Sequence, residues 1–325
     1  MRFAALLLAC AAALPAQTPA EDFIEAGHWK RARAIVEARL REAPDDPLAL
    51  FLMSQIHFAF GQKDAPMKLA ERAVTLAPGE AKFHRQLAEA TGVMAQRSNM
   101  LQQVFLARKF KKEIDAAIAL DPNNVQARRD LIEYYLLAPG LIGGDKKQAH
   151  DVAARIARID AAQGFLAEAR LAAFDHDLTR QEAMLRKAVE AGPVKYGVRI
   201  ALAQFYAKDK VNWDAAAEQA REAVKIDSTR AEGFSIAAAA DAARARWSEL
   251  EVILAQAERQ VPDDWTPYFR AAEAMNAAGK NLTAAAGYLR KYLMQEAEGN
   301  EPTHADARGL LKEIASRRDD RPGNL

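Results

Sequence analysis

A proline recurs through this chain with an alanine five residues ahead of it: Pro78 follows Ala73, Pro122 follows Ala117, Pro193 follows Ala188 and Pro262 follows Ala257. An aromatic stands fifteen residues ahead in the same frame, Trp29 before Pro44 and Trp247 before Pro262, with Trp213 in the matching place before Ser228. Pro44 to Pro78 is 34 residues, and Pro193 to Pro262 is 69, two such intervals plus one residue. Self-similarity at this period constrains the fold more than local propensity does. A short unit cannot bury its own apolar face, so it must stack on its neighbours. Residues 231–264 show the plan of one unit. A helix of small residues runs to about Arg244, a turn follows, and a second helix carries Trp247, Leu250, Leu254 and Ala257 up to Pro262. Proline cannot continue a helix and ends the unit. The acids and amides behind it (Pro44-Asp45-Asp46, Pro122-Asn123-Asn124, Pro262-Asp263-Asp264) are suited to cap the next helix.

The period, the small-residue and aromatic positions and the closing Asp121-Pro122-Asn123-Asn124 resemble the tetratricopeptide repeat. The segments 26–46, 117–124 and 231–264 carry the likeness best. It implies an all-α chain: a right-handed α-solenoid of stacked antiparallel helix pairs, the first helix of each pair lining the concave side. Tandem units are expected over 21–296: 21–46, 47–80, 81–124, a fourth from Val125, then 162–195, 196–228, 231–264 and 265–296. The third carries about ten residues beyond the period, placed around 92–104, so longer helices or a longer turn are expected there. Pro66 falls early in a second helix, where a first-turn proline is tolerated. Residues 301–317 read as a capping helix with Ala307, Leu310, Leu311 and Ile314 on its apolar face, and 318–325 as a frayed tail. The turn Pro139-Gly140-x-x-Gly143-Gly144 also resembles one found in exported bacterial tetratricopeptide proteins.

Charge narrows the partners. With 45 basic and 44 acidic residues the chain lacks the basic excess of a nucleic-acid binder. A lone cysteine, Cys10, excludes an internal disulfide. The N-terminus has one basic residue, Arg2, an apolar run from Phe3 to Leu14, then Pro15-Ala16. That is the layout of a secretory signal peptide over residues 1–16, with Ala13 and Ala20 as other cleavage points. A periplasmic or secreted protein is expected, with no other segment of membrane-spanning length. The rival reading is a lipoprotein anchored through Cys10.

No catalytic residue, cofactor or metal is expected. The chain has no H-E-x-x-H, no G-x-S-x-G and no P-loop spacing. The glycines before Asp145-Lys146-Lys147 fit an anion nest, but Asp145 reads better as a helix cap that would repel an anion. Asp175-His176-Asp177 is the one tight cluster of metal-type ligands and falls at an inter-helix turn. The expected activity is therefore non-enzymatic binding of a protein or peptide on the concave face. Projecting the register onto first helices selects Lys82, Arg85, Glu89, Arg129, Glu133, Arg170, Glu273 and Asn276. Arg85, Arg129 and Arg170 then form a basic strip for a carboxylate, or else pair with Glu89 and Glu133. The second functional class is an accessory subunit of an outer-membrane or polysaccharide export machine.

Overall fold

The computed structural model describes residues 19–319. The expected signal segment, Cys10 and residues 320–325 lie outside the described residues. The described chain is all helix, seventeen α-helices and one 3-10 turn. Sixteen of the helices form eight consecutive antiparallel pairs: α1 (Pro19–Ala26) with α2 (Trp29–Glu42), α3 (Pro47–Ala59) with α4 (Ala65–Leu76), α5 (Ala81–Gln96) with α6 (Met100–Leu120), and α7 (Val125–Leu137) with α8 (Lys146–Ile159). The series continues with α9 (Ala161–Phe174) and α10 (Leu178–Ala191), α11 (Tyr196–Lys208) and α12 (Trp213–Ile226), α13 (Ala231–Ala243) and α14 (Trp247–Gln260), and α15 (Thr266–Ala278) and α16 (Leu282–Tyr292). Helix α17 (His304–Asp319) packs on α15 and α16. Fold and repeat type are those read from the period: an α-solenoid of tetratricopeptide type.

The signature residues do their physical work at fixed places. Ala73, Ala117, Ala188, Ala223 and Ala257 are all buried, so each second helix approaches its neighbours closely. Trp29, Trp213 and Trp247 each open a second helix. Asp46 and Asn124 accept from the backbone N–H of Ala49 and Ala127 and so start α3 and α7. Pro66 sits in the first turn of α4, and its carbonyl accepts from the buried Ser54 hydroxyl. Gly164 lets α9 pass α8: a Cβ there would lie 2.4 Å from that of Ala157. Unit three absorbs its extra residues as longer helices, 16 residues in α5 and 21 in α6. Helix α17 begins three residues later than position 301, where Thr303 and Asp306 bond reciprocally, and runs on to Asp319.

The first helices of neighbouring units stand side by side along most of the stack, while second helices pack chiefly on the first helices around them and meet one another through ion pairs, Lys109 of α6 with Glu71 of α4 and Lys291 of α16 with Glu258 of α14. The inner wall is thus built from α1, α3, α5, α7, α9, α11, α13 and α15. The core is continuous along the stack but divides into clusters, α5 giving Phe83 to the N-terminal one and Ala88 to the next.

Candidate partner-binding groove

The stack turns far enough for its two ends to meet. Helix α2 has no side-chain cap of its own at His28. Its cap comes from the far end of the chain: Glu298 Oε1 accepts from the Lys30 backbone N–H at 2.8 Å, across 268 residues. The Lys30 ammonium is then held by three oxygens, the Asp263 carbonyl at 2.6 Å, the Glu296 carbonyl at 2.8 Å and Glu298 Oε2 at 3.0 Å. Arg31 grips both oxygens of Asp263, at 2.6 and 2.9 Å. Arg33 spans both oxygens of Glu296, at 2.9 and 3.0 Å. The Asn300 N–H donates to the Ala59 carbonyl at 2.8 Å, and Arg230 reaches Glu25 on α1 at 3.0 Å. The bidentate Arg31–Asp263 contact fixes angle as well as distance. Residues of units one and two are therefore locked to the α14–α15 turn and the α16–α17 linker.

Behind this seam lies a cavity of about 650 Å³. Its wall comes from α1, α11, α13 and α15, with Trp29 and Trp213 from the starts of second helices. Aromatic surface (Trp29, Tyr196, Trp213) alternates with carboxylates, among them Glu232, Asp264 and Glu273. Ser235 lines the cavity, is buried, and its hydroxyl has no partner among the described residues. Burial pushes the carboxyls of Glu232, Asp264 and Glu298 above the usual range, although Gln204, Thr266 and Lys30 respectively bond to them and pull the other way. Tyr196 is raised by burial as well. A pocket of this size, largely preformed, with apolar walls and few convergent polar groups, is what a recognised side chain or short segment requires.

Of the other first-helix residues singled out in the sequence, most are paired across units. Lys82 on α5 reaches Glu21 on α1 at 2.9 Å. Arg85 bonds Asp130 on α7 at 2.7 Å and lies 3.7 Å from Glu89. Arg170 on α9 clasps Glu133 on α7 through two contacts of 2.7 Å. Arg129 is exposed on α7. Burial in the groove raises the carboxyls of Glu89 and Asp130, and Arg85 pulls both back down. Two arginines of the strip are thus already engaged in holding units in register. Glu273 does line the cavity, beside Arg270 at 2.9 Å. Asn276 is buried; its carbonyl accepts from Arg317 of α17 at 2.6 Å.

The two other distinctive stretches have structural employment. In the Pro139 turn the N–H groups of Gly143, Gly144 and Asp145 donate to Gly140, Pro139 and Tyr135 carbonyls, which leaves no amide nest for an anion. Gly143 has φ 102°, and a Cβ on Gly144 would lie 1.7 Å from the Ala138 carbonyl oxygen, so both glycines answer a backbone requirement. Asp145 caps α8 through the N–H groups of Lys147 and Gln148. Asp177 caps α10, and Asp175 pairs with Lys146. Among the described residues no group of three or more His, Cys, Asp and Glu is placed to hold a metal ion.

Lys30, Glu298 and Ser235 carry no signal in the sequence. A partner 268 residues away leaves no periodic trace. Trp29 and Trp213 were visible as repeat markers, but Trp247 shares their frame and does not line the cavity, so the frame alone did not point to the site.

No protein-family model and no curated protein matches this sequence. Solved structures do. The yeast Tom70 crystal structure matches 93% of this chain at TM-score 0.59 and 16% identity. This chain covers 62% of that one, less than two thirds of its length. A thermophilic TPR protein of Thermus thermophilus matches 72% of this chain and 95% of its own at 15% identity and TM-score 0.38. The Cut9–Hcn1 hetero-tetramer structure of the APC/C matches 91% of this chain and 54% of its own at 14% identity and TM-score 0.45. The Tom70 likeness gives the fold.

Proposed function

We propose that this chain is a non-enzymatic scaffold that holds a protein or peptide partner on its inner wall, with a partner side chain or short segment seated in the cavity behind the seam. The supporting observation is the cavity itself: about 650 Å³, walled by Trp29, Tyr196 and Trp213, with the unpartnered Ser235 hydroxyl and the carboxyls of Glu232, Asp264 and the buried Glu298 at its surface. Buried polar groups without partners cost free energy in the empty protein and favour a ligand that supplies them. The row from Lys82 to Arg170 is the second part of the binding face, where Arg129 and the outer edges of the paired charges meet the partner. Residues 1–16 act as an export signal, so the scaffold works in the bacterial envelope or outside the cell. Cleavage after Ala16 leaves α1 whole, with the buried Ala20 in place. No helix among the described residues is long and apolar enough to cross a membrane.

The test is partner capture from envelope extract. The bait is the wild-type protein beside a variant carrying Glu232→Arg and Glu273→Arg, two residues on the cavity wall. A partner retained by the wild type and lost by the variant places binding in the cavity. Equal retention by both moves the site elsewhere and ends this reading.

A further inference from the structure

The repeat is broken most strongly in unit three, and the break projects. The signature alanine lies ten residues from the first residue of α10, α12 and α14, but Ala117 lies seventeen from the start of α6 at Met100. Seven extra residues therefore stand at the outer tip of α6. At 1.5 Å per residue they overhang neighbouring second helices by about 10 Å. That tip is apolar and uncovered: Met100 is 80% exposed, Leu101 86% and Phe105 69%. The 3-10 turn at Gly140–Ile142 of the next unit packs against α6, and its Leu141 is 99% exposed. Soluble surfaces carry single exposed apolar residues, but a group at the end of a projection marks a contact site.

Charge says what the contact is. Residues 92–112 hold five cations and no carboxylate, in a chain whose overall charges nearly cancel. Lys109 and Lys111 are paired, with Glu71 and Asp115. Arg97, Arg108 and Lys112 are exposed and enter no ion pair among the described residues. A convex apolar tip with unpaired Arg97 beside it and Arg108 and Lys112 further along the same exposed face of α6 does not form a groove for a partner helix. It fits a surface that is soft, apolar just below its face and anionic at it. Interfacial segments bury apolar side chains about 5–10 Å into such a boundary, with basic residues at headgroup level. We propose that the α5–α6 tip docks this protein on an anionic lipid surface, Met100, Leu101 and Phe105 entering the acyl boundary while Arg97, Arg108 and Lys112 meet the headgroups. The docking is peripheral and reversible, and it is independent of the cavity.

A fluorescent label at Leu101→Cys, in the full chain with Cys10→Ser, reads the tip directly. A second sample carries the label at the exposed Val252→Cys on α14, far along the stack, so that any contact made by residues 1–16 is reported separately. Vesicles rich in phosphatidylglycerol should blue-shift the label at position 101 and leave that at 252 unchanged. Pure phosphatidylcholine vesicles should leave both unchanged. Changing Arg97, Arg108 and Lys112 together to Glu should lower partition at least tenfold, since each cation near such a surface contributes about fivefold. All three are exposed, and an unaltered circular dichroism spectrum verifies the fold of the variant. Three results overturn the proposal. They are no shift at 101, an equal shift with neutral vesicles, or a shift that appears without vesicles as protein concentration rises, which would make the tip a contact between copies of this chain.

Discussion

Replacing Lys30 by Met should open the seam. The ammonium is held by two backbone carbonyls and by Glu298, whose side chain is only 5% exposed. Removing it leaves a buried carboxylate with the Lys30 N–H as its remaining hydrogen-bond donor. Breaking one side of a buried pair costs about 3–5 kcal/mol. The Lys30 side chain keeps 16% of its exposure, and both carbonyls can turn to water, so the lower end, about 3 kcal/mol, is expected. Stability in a stacked array is a sum of units and nearest-neighbour interfaces. The seam adds a term between the first unit and the last, and the loss should follow it. Hydrogen exchange in Lys30→Met should quicken in α1 and α2 and, at the far end of the chain, in the α16–α17 linker, with α7 to α10 unchanged. Burial holds the Glu298 carboxyl above its usual value. Near pH 4 it therefore takes up a proton, the unpaired charge disappears, and the gap between variant and wild type should narrow. A variant that melts with the wild type at pH 7, with no change in linker exchange, would refute the seam as an energetic contact.

Three further outcomes follow from the same geometry. Gly144→Ala places a methyl 1.7 Å from the Ala138 carbonyl oxygen and should cost about 1–3 kcal/mol in urea unfolding; an unchanged midpoint would mean the turn rearranges freely. Glu89→Gln should raise the melting temperature at pH 7 by about 2 °C and do nothing near pH 4. The sign follows from burial raising the folded pKa: the stability is fully present below the unfolded value near 4.5 and is lost as pH rises through the folded one, so at pH 7 the wild type carries a charge that burial disfavours and Gln removes, an effect kept small because the side chain is 34% exposed and Arg85 lies 3.7 Å away. A double-mutant cycle on Glu133 and Arg170, whose side chains are 39% and 37% exposed, should return a coupling of about 0.5–1 kcal/mol; a value near zero would make the pair a passenger on the wall.

What was legible in the sequence is what repeats. Proline, the alanine ahead of it and the tryptophan at the start of α2, α12 and α14 answer the same steric demand wherever they recur, so their period declares both helices and stacking. The extra length near 92–104 was legible as a departure from that period, though its form as a projecting helix tip was not. The charged row was legible as residues on one face. The pairing of Arg170 with Glu133 was one of the two readings the row allowed; that Arg85 takes Asp130 as well depends on the offset between adjacent units, which a register alone does not set. The seam was not legible, because its existence depends on the accumulated rotation of all eight units. Small per-unit angles add up to bring Lys30 to Glu298, and no local pattern in the chain encodes that sum.

The most direct test of the closed stack is a cross-link across the seam. Cysteines at Arg31 and Asp263, in a Cys10→Ser chain, are treated with a short bis-maleimide and located by peptide mass. A control pair at Asp214 and Arg244, which meet at 3.3 Å between adjacent units, verifies the chemistry. Both pairs should link within one molecule at low protein concentration, giving the 31–263 peptide pair in high yield. The control linking alone, with positions 31 and 263 free or joined only between molecules, would describe an open solenoid without the cavity on which the proposed binding depends.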